Sequence, residues 1–388
     1  MRRIVYSIST FLTGIMAMLT VGITGNIAAG LNVSSKSLGI LITAYTLTFA
    51  ISGPILNTIL SKVSDKLVII VSFIIFILGN LLAFFSSNLS MLTVSRIISA
   101  IGAAILVVRI LNQASIMTKK GSILTTVYMG FSLANAIGLP LSTFAGQYLN
   151  WRYIFLAVSI LSTLLVLIFM TNANNLVLKE SKINIEDSVQ ETKNDNQKHP
   201  ESFKFISIII ITMLVLAANA CFVAYLSPFS RQLGYSNNSL TISMFILGIG
   251  SLVGSKIGGK LSDKTHPQFF YQLALFLFAI SAVLALFISK INIIVFWIIL
   301  FLWNATQWIT GPLGVMLITK LTKKYRDIAL SFNTTAQNLG ASLGSFSGQV
   351  FLGFESIKYL PTVSILFLAV AIFVFIGSRL GTQDFQQN

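Results

Sequence analysis

The chain has 388 residues, of which 55% are hydrophobic and only 10% are charged. A soluble domain carries roughly 25% charged residues, so this composition excludes a soluble globular fold and requires lipid around much of the surface. A formal charge of +15 would suggest a nucleic-acid partner in a soluble chain, but basic residues on the cytoplasmic loops of a membrane protein account for it here.

Apolar segments long enough to cross a bilayer recur along the chain, since a transmembrane helix needs about 20 apolar residues. By this measure the sequence predicts twelve spans, near residues 6–28, 38–60, 67–85, 91–116, 122–147, 152–172, 204–228, 238–259, 268–288, 292–318, 328–352 and 361–378. The first span has no convincing cleavage site after it, so we expect an uncleaved helix and not a signal peptide. The predicted fold class is an all-α polytopic membrane protein.

A polar segment divides the spans into two sets of six. Residues 172–203 are rich in Lys, Glu, Asp and Asn, and we interpret them as a cytoplasmic linker between an N-terminal half, 1–171, and a C-terminal half, 204–388. With both termini inside, nearly all Lys and Arg are cytoplasmic, and the outer side holds only Lys36, Arg152, Arg231, Lys290 and Lys358. The positive-inside rule therefore predicts a multi-pass protein of the cell membrane with both termini in the cytoplasm.

Four segments carry a family resemblance. The first, residues 39–54, has Tyr45 ahead of a run of small residues, and the second, 96–104, begins with Arg96. The third, 134–155, ends in Trp-Arg followed by aromatic residues, and the fourth is 333–348. They resemble the second, fourth, fifth and eleventh helices of the major facilitator superfamily, in its sugar- and drug-efflux branch (arabinose-efflux-permease-like). The resemblance implies two six-helix pseudo-repeats with a substrate site between them near the midplane.

Arg96 is the main candidate for substrate binding or coupling. A guanidinium this deep in a span costs roughly 3 kcal/mol or more unless it faces water, a partner or a cavity. Snorkelling to the headgroups is the alternative. The resemblance implies that Arg96 handles substrate or protons, and it adds Tyr45 to the site.

Arg109 departs from the family, and its side chain points about 140° away from that of Arg96. It either bonds helix-end carbonyls, which we favour, or lines the inner mouth.

Polar amides inside the spans are further candidates for substrate binding, namely Asn304, Gln307, Asn333 and Asn338. Amides also hold membrane helices together, so packing is an equally good interpretation of each.

The fifth span contains a flexible stretch formed by Gly138, Pro140 and Gly146, in which the proline lacks a backbone donor. Such a stretch suits a helix that bends or slides. Asp263 belongs to a loop motif that is repeated, in degraded form, in the first half.

Titratable groups are missing from the centre of the predicted membrane region. None of the eleven Asp and Glu residues lies in the middle of a span, and both histidines, His199 and His266, lie in loops. No nucleotide-binding loop, metal-ligand spacing or nucleophile arrangement is present, so we expect no cofactor, no metal and no enzymatic activity. The expected partners are a small-molecule substrate and the lipid bilayer, without nucleic acid, and we expect a monomer.

The sequence therefore favours a secondary efflux transporter for a small organic anion or zwitterion, such as a carboxylate-rich metabolite or an opine-type metallophore. The branch resemblance leaves a proton-coupled multidrug or sugar exporter open, although the lack of an intramembrane acid argues against lipophilic cations. A membrane sensor or scaffold that transports nothing is the third possibility.

Overall fold

The computed structural model describes residues 2–115, 130, 133–176, 202–262, 264, 266–321, 326–378 and 380. These residues are almost entirely helical and contain no strand. The α-helices are α1 (Arg2–Leu31), α2 (Gly39–Ile59), α3 (Asp65–Phe84), α4 (Leu89–Ser115), α5 (Leu139–Tyr148), α6 (Arg152–Leu176), α7 (Ser202–Val223), α8 (Leu226–Gln232), α9 (Asn237–Ser262), α10 (Pro267–Phe287), α11 (Ile293–Leu321), α12 (Arg326–Phe354) and α13 (Pro361–Gly377). A π-helical turn, Ala134–Gly138, leads directly into α5.

Most of these helices are apolar enough to cross a membrane. Within the described ranges nine helices satisfy the length and hydropathy of a span, and α1 makes a tenth when its two segments, bent by 42°, are taken together. We call the end of the bundle at which α2 begins the predicted outer end, and the opposite end the predicted inner end.

Helix α12 is long enough to span a bilayer but too polar to qualify by composition. Its neighbours explain this, because α12 packs against α7 and α2. Gly340 and Gly344 bring its backbone directly onto the carbonyls of Met213 and Ala217 in α7. Small residues spaced by four let two helices approach this closely, so protein and not lipid covers the polar sequence.

The described helices pack in two groups that follow chain order. In the first, α3 packs on α4 and α6, α2 packs on α4, and α1 packs on α5. In the second, α11 packs on α9 and α10, while α7 packs on α12 and α13. The groups meet where α2 contacts α12, where α9 contacts α5 and its π-helical turn, and where α1 contacts α8. The predicted linker lies largely outside the described residues, and α6 continues to Leu176, past the predicted boundary at 171.

The seventh predicted span, 204–228, is present as a span but ends five residues earlier than predicted. Helix α7 ends at Val223 and the short α8 begins at Leu226. Pro228 lies in the first turn of α8, where a missing N–H costs nothing, but it cannot donate to the carbonyl of Ala224. The proline thus accounts for the break, which leaves Tyr225 at the junction of the two helices.

Candidate functional site

Arg96 is buried in the first group of helices and faces α1. Its side chain is 1% exposed. One terminal nitrogen, Nη2, donates to the Met16 carbonyl at 2.6 Å, and Nη1 lies 3.9 Å from the Met16 sulfur. The guanidinium carbon lies 4.1 Å from the centre of the Tyr45 ring, and the Tyr45 hydroxyl donates to the Thr13 carbonyl at 3.4 Å. The structure thus brings Arg96 and Tyr45 together, and it adds Met16, which the sequence analysis did not predict.

No carboxylate neutralises Arg96 within the described part of the chain, where Arg109–Asp65 is the one ion pair. A carbonyl oxygen, a thioether and an aromatic face surround the guanidinium instead. A desolvated cation–π contact contributes about 2 kcal/mol, so these groups offset part of the burial cost without cancelling the charge. The Nε atom of Arg96 has no hydrogen-bond partner among the described residues.

Arg109 belongs to a separate network at the predicted inner end. It forms an ion pair with Asp65 at 2.7 Å and donates to the carbonyls of Leu60 at 2.6 Å and Asn57 at 3.4 Å. Gln113, one turn further along α4, donates to the other Asp65 oxygen. The structure therefore places Arg109 against helix-end carbonyls and a carboxylate, where it joins α2, α3 and α4.

One of the four candidate amides joins two helices, one bonds within its own helix, and two keep an unpartnered side-chain oxygen. Asn304 donates to the Leu247 carbonyl at 2.5 Å and joins α11 to α9, while Asn338 donates to Thr334 within α12 at 2.9 Å. Gln307 and Asn333 are more than nine-tenths buried, and their side-chain oxygens have no partner in the described ranges. The hydrogen bonds of Arg96 go to Met16, so none of these amides bonds it.

Trp303, beside Asn304 in the sequence, belongs to the core of the second group. Its indole nitrogen donates to Asn219 at 2.9 Å, and its ring packs 4.5 Å from Phe222 and 5.1 Å from Phe278. The side chain is fully buried. Its contacts are those of packing within the bundle.

The glycine- and proline-containing stretch of α5 lies where three helices meet. A Cβ added to Gly138 would lie 2.7 Å from Ile15 in α1, and the Gly146 carbonyl accepts a hydrogen bond from Asn26 at 2.5 Å. From the second group, Gly248 of α9 presses on the backbone of Ala136 in the π-helical turn. Pro140 lies in the first turn of α5, immediately after this turn. Asp263 lies outside the described residues.

A cluster at the predicted outer end joins the two groups. The hydroxyls of Thr43 in α2 and Ser345 in α12 are 2.8 Å apart, and the Tyr225 hydroxyl donates to the Ser345 carbonyl at 3.0 Å. The Tyr225 hydroxyl occupies the space that a side chain at Gly39 would need, and the ring lies 2.7 Å from the Cβ position of Gly348. Sequence reasoning missed this cluster, whose only signals are the two glycines and the Pro228 break.

A bundle of long apolar helices in two groups, joined by buried polar contacts at one end, is the architecture of a polytopic membrane transporter. A sequence profile described as Major Facilitator Superfamily matches residues 6–345. The chain belongs to this family of transporters.

Similar proteins agree with that assignment. The chain is 28% identical to the uncharacterized MFS-type transporter YbcL of Bacillus subtilis, over 95% of this chain and 93% of that protein. It is 26% identical to a probable sugar efflux transporter of Helicobacter pylori, over 94% and 91% of the two chains. Among solved structures, a bacterial homolog of the lysosomal transporter Spinster, inward-facing and unoccupied, has a TM-score of 0.77 at 14% identity, covering 98% of this chain and 97% of that one. This last likeness shows the fold alone.

Proposed function

We propose that the protein exports a small organic anion or zwitterion across the cell membrane by alternating access, with an opine-type, carboxylate-rich metabolite as the model substrate. The observation that carries this proposal is the buried guanidinium of Arg96, which no carboxylate neutralises in the described part of the chain. Both termini are cytoplasmic in this proposal, because the positive charge is concentrated on that side.

Charge selectivity follows from simple electrostatics. Two unit charges 4 Å apart interact with about 4 kcal/mol at an effective dielectric of 20, so a guanidinium favours an anion and disfavours a cation by that order. The unpartnered Nε is a donor that a carboxylate can accept from. In the other group of helices the unpartnered oxygens of Gln307 and Asn333 are acceptors, which suit the ammonium group of a zwitterion.

The contacts between the two groups of helices support alternating access. Thr43, Ser345 and Tyr225 join the groups at the predicted outer end. Contacts that close one side are a feature of one of the two states that alternating access requires. The name of the H. pylori relative, a probable sugar efflux transporter, supports export as the direction.

The test is flux into inside-out vesicles or proteoliposomes of the purified protein. The probes are an N-carboxyalkyl amino acid as the opine-type zwitterion, arabinose as the neutral sugar, and tetraphenylphosphonium as the lipophilic cation. We expect flux of the zwitterion, severe loss in Arg96→Ala, and partial rescue in Arg96→Lys, because lysine cannot hold a carboxylate through two parallel hydrogen bonds. Zwitterion flux at the parental rate in well-folded Arg96→Ala would refute the proposal that Arg96 is an anion site.

A sugar exporter is the second candidate, and the similarity to the probable sugar efflux transporter favours it. The buried amides would then bind hydroxyl groups. Arabinose flux that is indifferent to Arg96→Ala identifies this alternative, and robust tetraphenylphosphonium flux identifies a multidrug exporter. A membrane sensor or scaffold would give no flux of any probe.

A further inference from the structure

Helix α1 is bent although it contains no proline. Its segments Ile4–Ala17 and Leu19–Leu31 meet at 42°, with Met18 between them. Sharp bends in helices arise at proline, at glycine or serine pairs, at π-bulges, or where a side chain inserts into the backbone hydrogen bonds. Gly14 and Gly22 each lie four residues from Met18 and not at the bend, so they do not account for its position.

A side chain does reach the backbone at this place. The carbonyl that accepts the hydrogen bond of Arg96 Nη2 belongs to Met16, two residues before the bend, and the bond is 2.6 Å long. The second terminal nitrogen lies against the sulfur of the same residue. A charge-assisted hydrogen bond is roughly twice as strong as a neutral one, and burial at 1% exposure shields it from water.

The bend also sets the position of a contact between the two groups of helices. The segment of α1 beyond the bend carries Gly25, and a Cβ there would lie 2.7 Å from the guanidinium of Arg231 in α8. This segment of 13 residues is about 20 Å long, so straightening a 42° bend would swing its far end by about 13 Å. A small change at Met16 is thereby converted into a large movement at the predicted outer end.

We propose that Arg96 is a positioning residue that holds the bend in α1 through the Met16 carbonyl and thereby keeps the Gly25–Arg231 contact closed. We call this arrangement the clamp. Loss of this hydrogen bond lets α1 straighten and separates α1 from α8. A substrate carboxylate that takes over the guanidinium would release the Met16 carbonyl, and this trigger alone rests on the proposed function.

The experiment measures the distance between α1 and α8 in protein without substrate. Spin labels are placed at Ala29→Cys and Gln232→Cys, both exposed, after the buried Cys221 has been replaced by alanine. The distance distribution is recorded by double electron–electron resonance in nanodiscs. Arg96→Met, which keeps the apolar stem and removes all donors, should lengthen the mean distance by several ångströms. Arg96→Lys, which keeps a donor, should stay near the parent.

Arg109→Met is the matched control. Arg109 lies on the same helix as Arg96 and also donates to a backbone carbonyl, that of Leu60, at 2.6 Å, but its hydrogen bonds and ion pair join α4 to α2 and α3 at the predicted inner end. Its replacement should leave the distance unchanged. If Arg109→Met lengthens the distance as much as Arg96→Met does, general loosening explains the effect and the clamp is refuted.

An unchanged distance in folded, monodisperse Arg96→Met also overturns the proposal. If that variant does not purify, Arg96→Gln takes its place, because its shorter amide cannot reach the Met16 carbonyl; the same lengthening is expected, and its absence is equally decisive. No substrate enters this measurement, so the clamp and the anion-export proposal fail independently. A longer α1–α8 distance in Arg96→Met, together with no zwitterion flux in the parent protein, would support the clamp and refute the proposed substrate.

Discussion

Replacing Gly248 by alanine should weaken the contact between the two groups of helices. A Cβ at this position would lie 2.6 Å from the Ala136 carbonyl oxygen and 2.9 Å from the Ala136 Cα. Close carbon–oxygen contacts in proteins begin at about 3.3 Å, so α9 and the π-helical turn must separate by roughly 0.7 Å. Both atoms belong to the backbone, so no change of rotamer can relieve the overlap.

The size of the effect follows from the cost of overpacking, which is typically about 1–3 kcal/mol. Where a contact is made in only one of two conformations, that energy shifts their equilibrium by a factor of roughly 5 to 150. Gly259→Ala is the matched control, because it lies on the same helix and a Cβ there meets nothing within 4 Å. The control variant therefore changes the helix propensity in the same way but introduces no steric collision.

Thiol labelling reports the shift. Ser345 is fully buried at the predicted outer end, so Ser345→Cys should react slowly with a membrane-impermeant maleimide in the parent and in Gly259→Ala. In Gly248→Ala the reaction should accelerate at least fivefold, because the conformation closed at this end is disfavoured. Equal rates in the two glycine variants, both folded, would show that the contact does not bias the conformation.

Three further predictions concern closure, topology and the bending helix. Thr43→Cys with Ser345→Cys, in a background without the native cysteine, should form a disulfide that stops flux until a reductant is added; flux unaffected by a formed disulfide would show that this end need not open. Lys182→Cys should resist an impermeant maleimide in intact cells, because the linker is expected to be cytoplasmic, and labelling would reverse the topology. Pro140→Ala or Gly138→Leu should slow flux at normal abundance; wild-type rates in both would mean that the stretch serves packing alone.

The spans were predictable because lipid imposes the same requirement on each of them, a run of apolar residues with all backbone groups bonded internally. Helices α3, α9 and α11 lie close to the spans predicted for them. The α7–α8 break was missed because the surrounding residues are uniformly apolar, and hydropathy does not register a proline that starts a new helix. Arg109 and Gln113 are four residues apart and therefore share a face of α4, and both bond Asp65.

The candidate site was less predictable because its contacts join residues that are far apart in the chain. Met16 and Arg96 are 80 positions apart, and Thr43 and Ser345 are 302 apart. Spacing within one helix carries no information about such pairs. Nothing in the sequence of α1 singles out Met16, because its contact is with a side chain on another helix.

Met16→Glu tests whether the absence of a carboxylate beside Arg96 sets the charge selectivity. The Met16 sulfur lies 3.9 Å from Arg96 Nη1, and glutamate is nearly the same length as methionine, so its carboxylate would reach the guanidinium. The resulting pair would neutralise the site and remove an attraction of about 4 kcal/mol for an anion at contact. Zwitterion flux should therefore fall at least tenfold. Met16→Gln has the same shape without the charge and keeps the backbone carbonyl that Arg96 bonds, so it should retain most of the flux. Parental zwitterion flux in well-folded Met16→Glu would show that Arg96 does not select the substrate by charge. A loss of the same size in Met16→Gln would show that shape at this position matters and that charge does not.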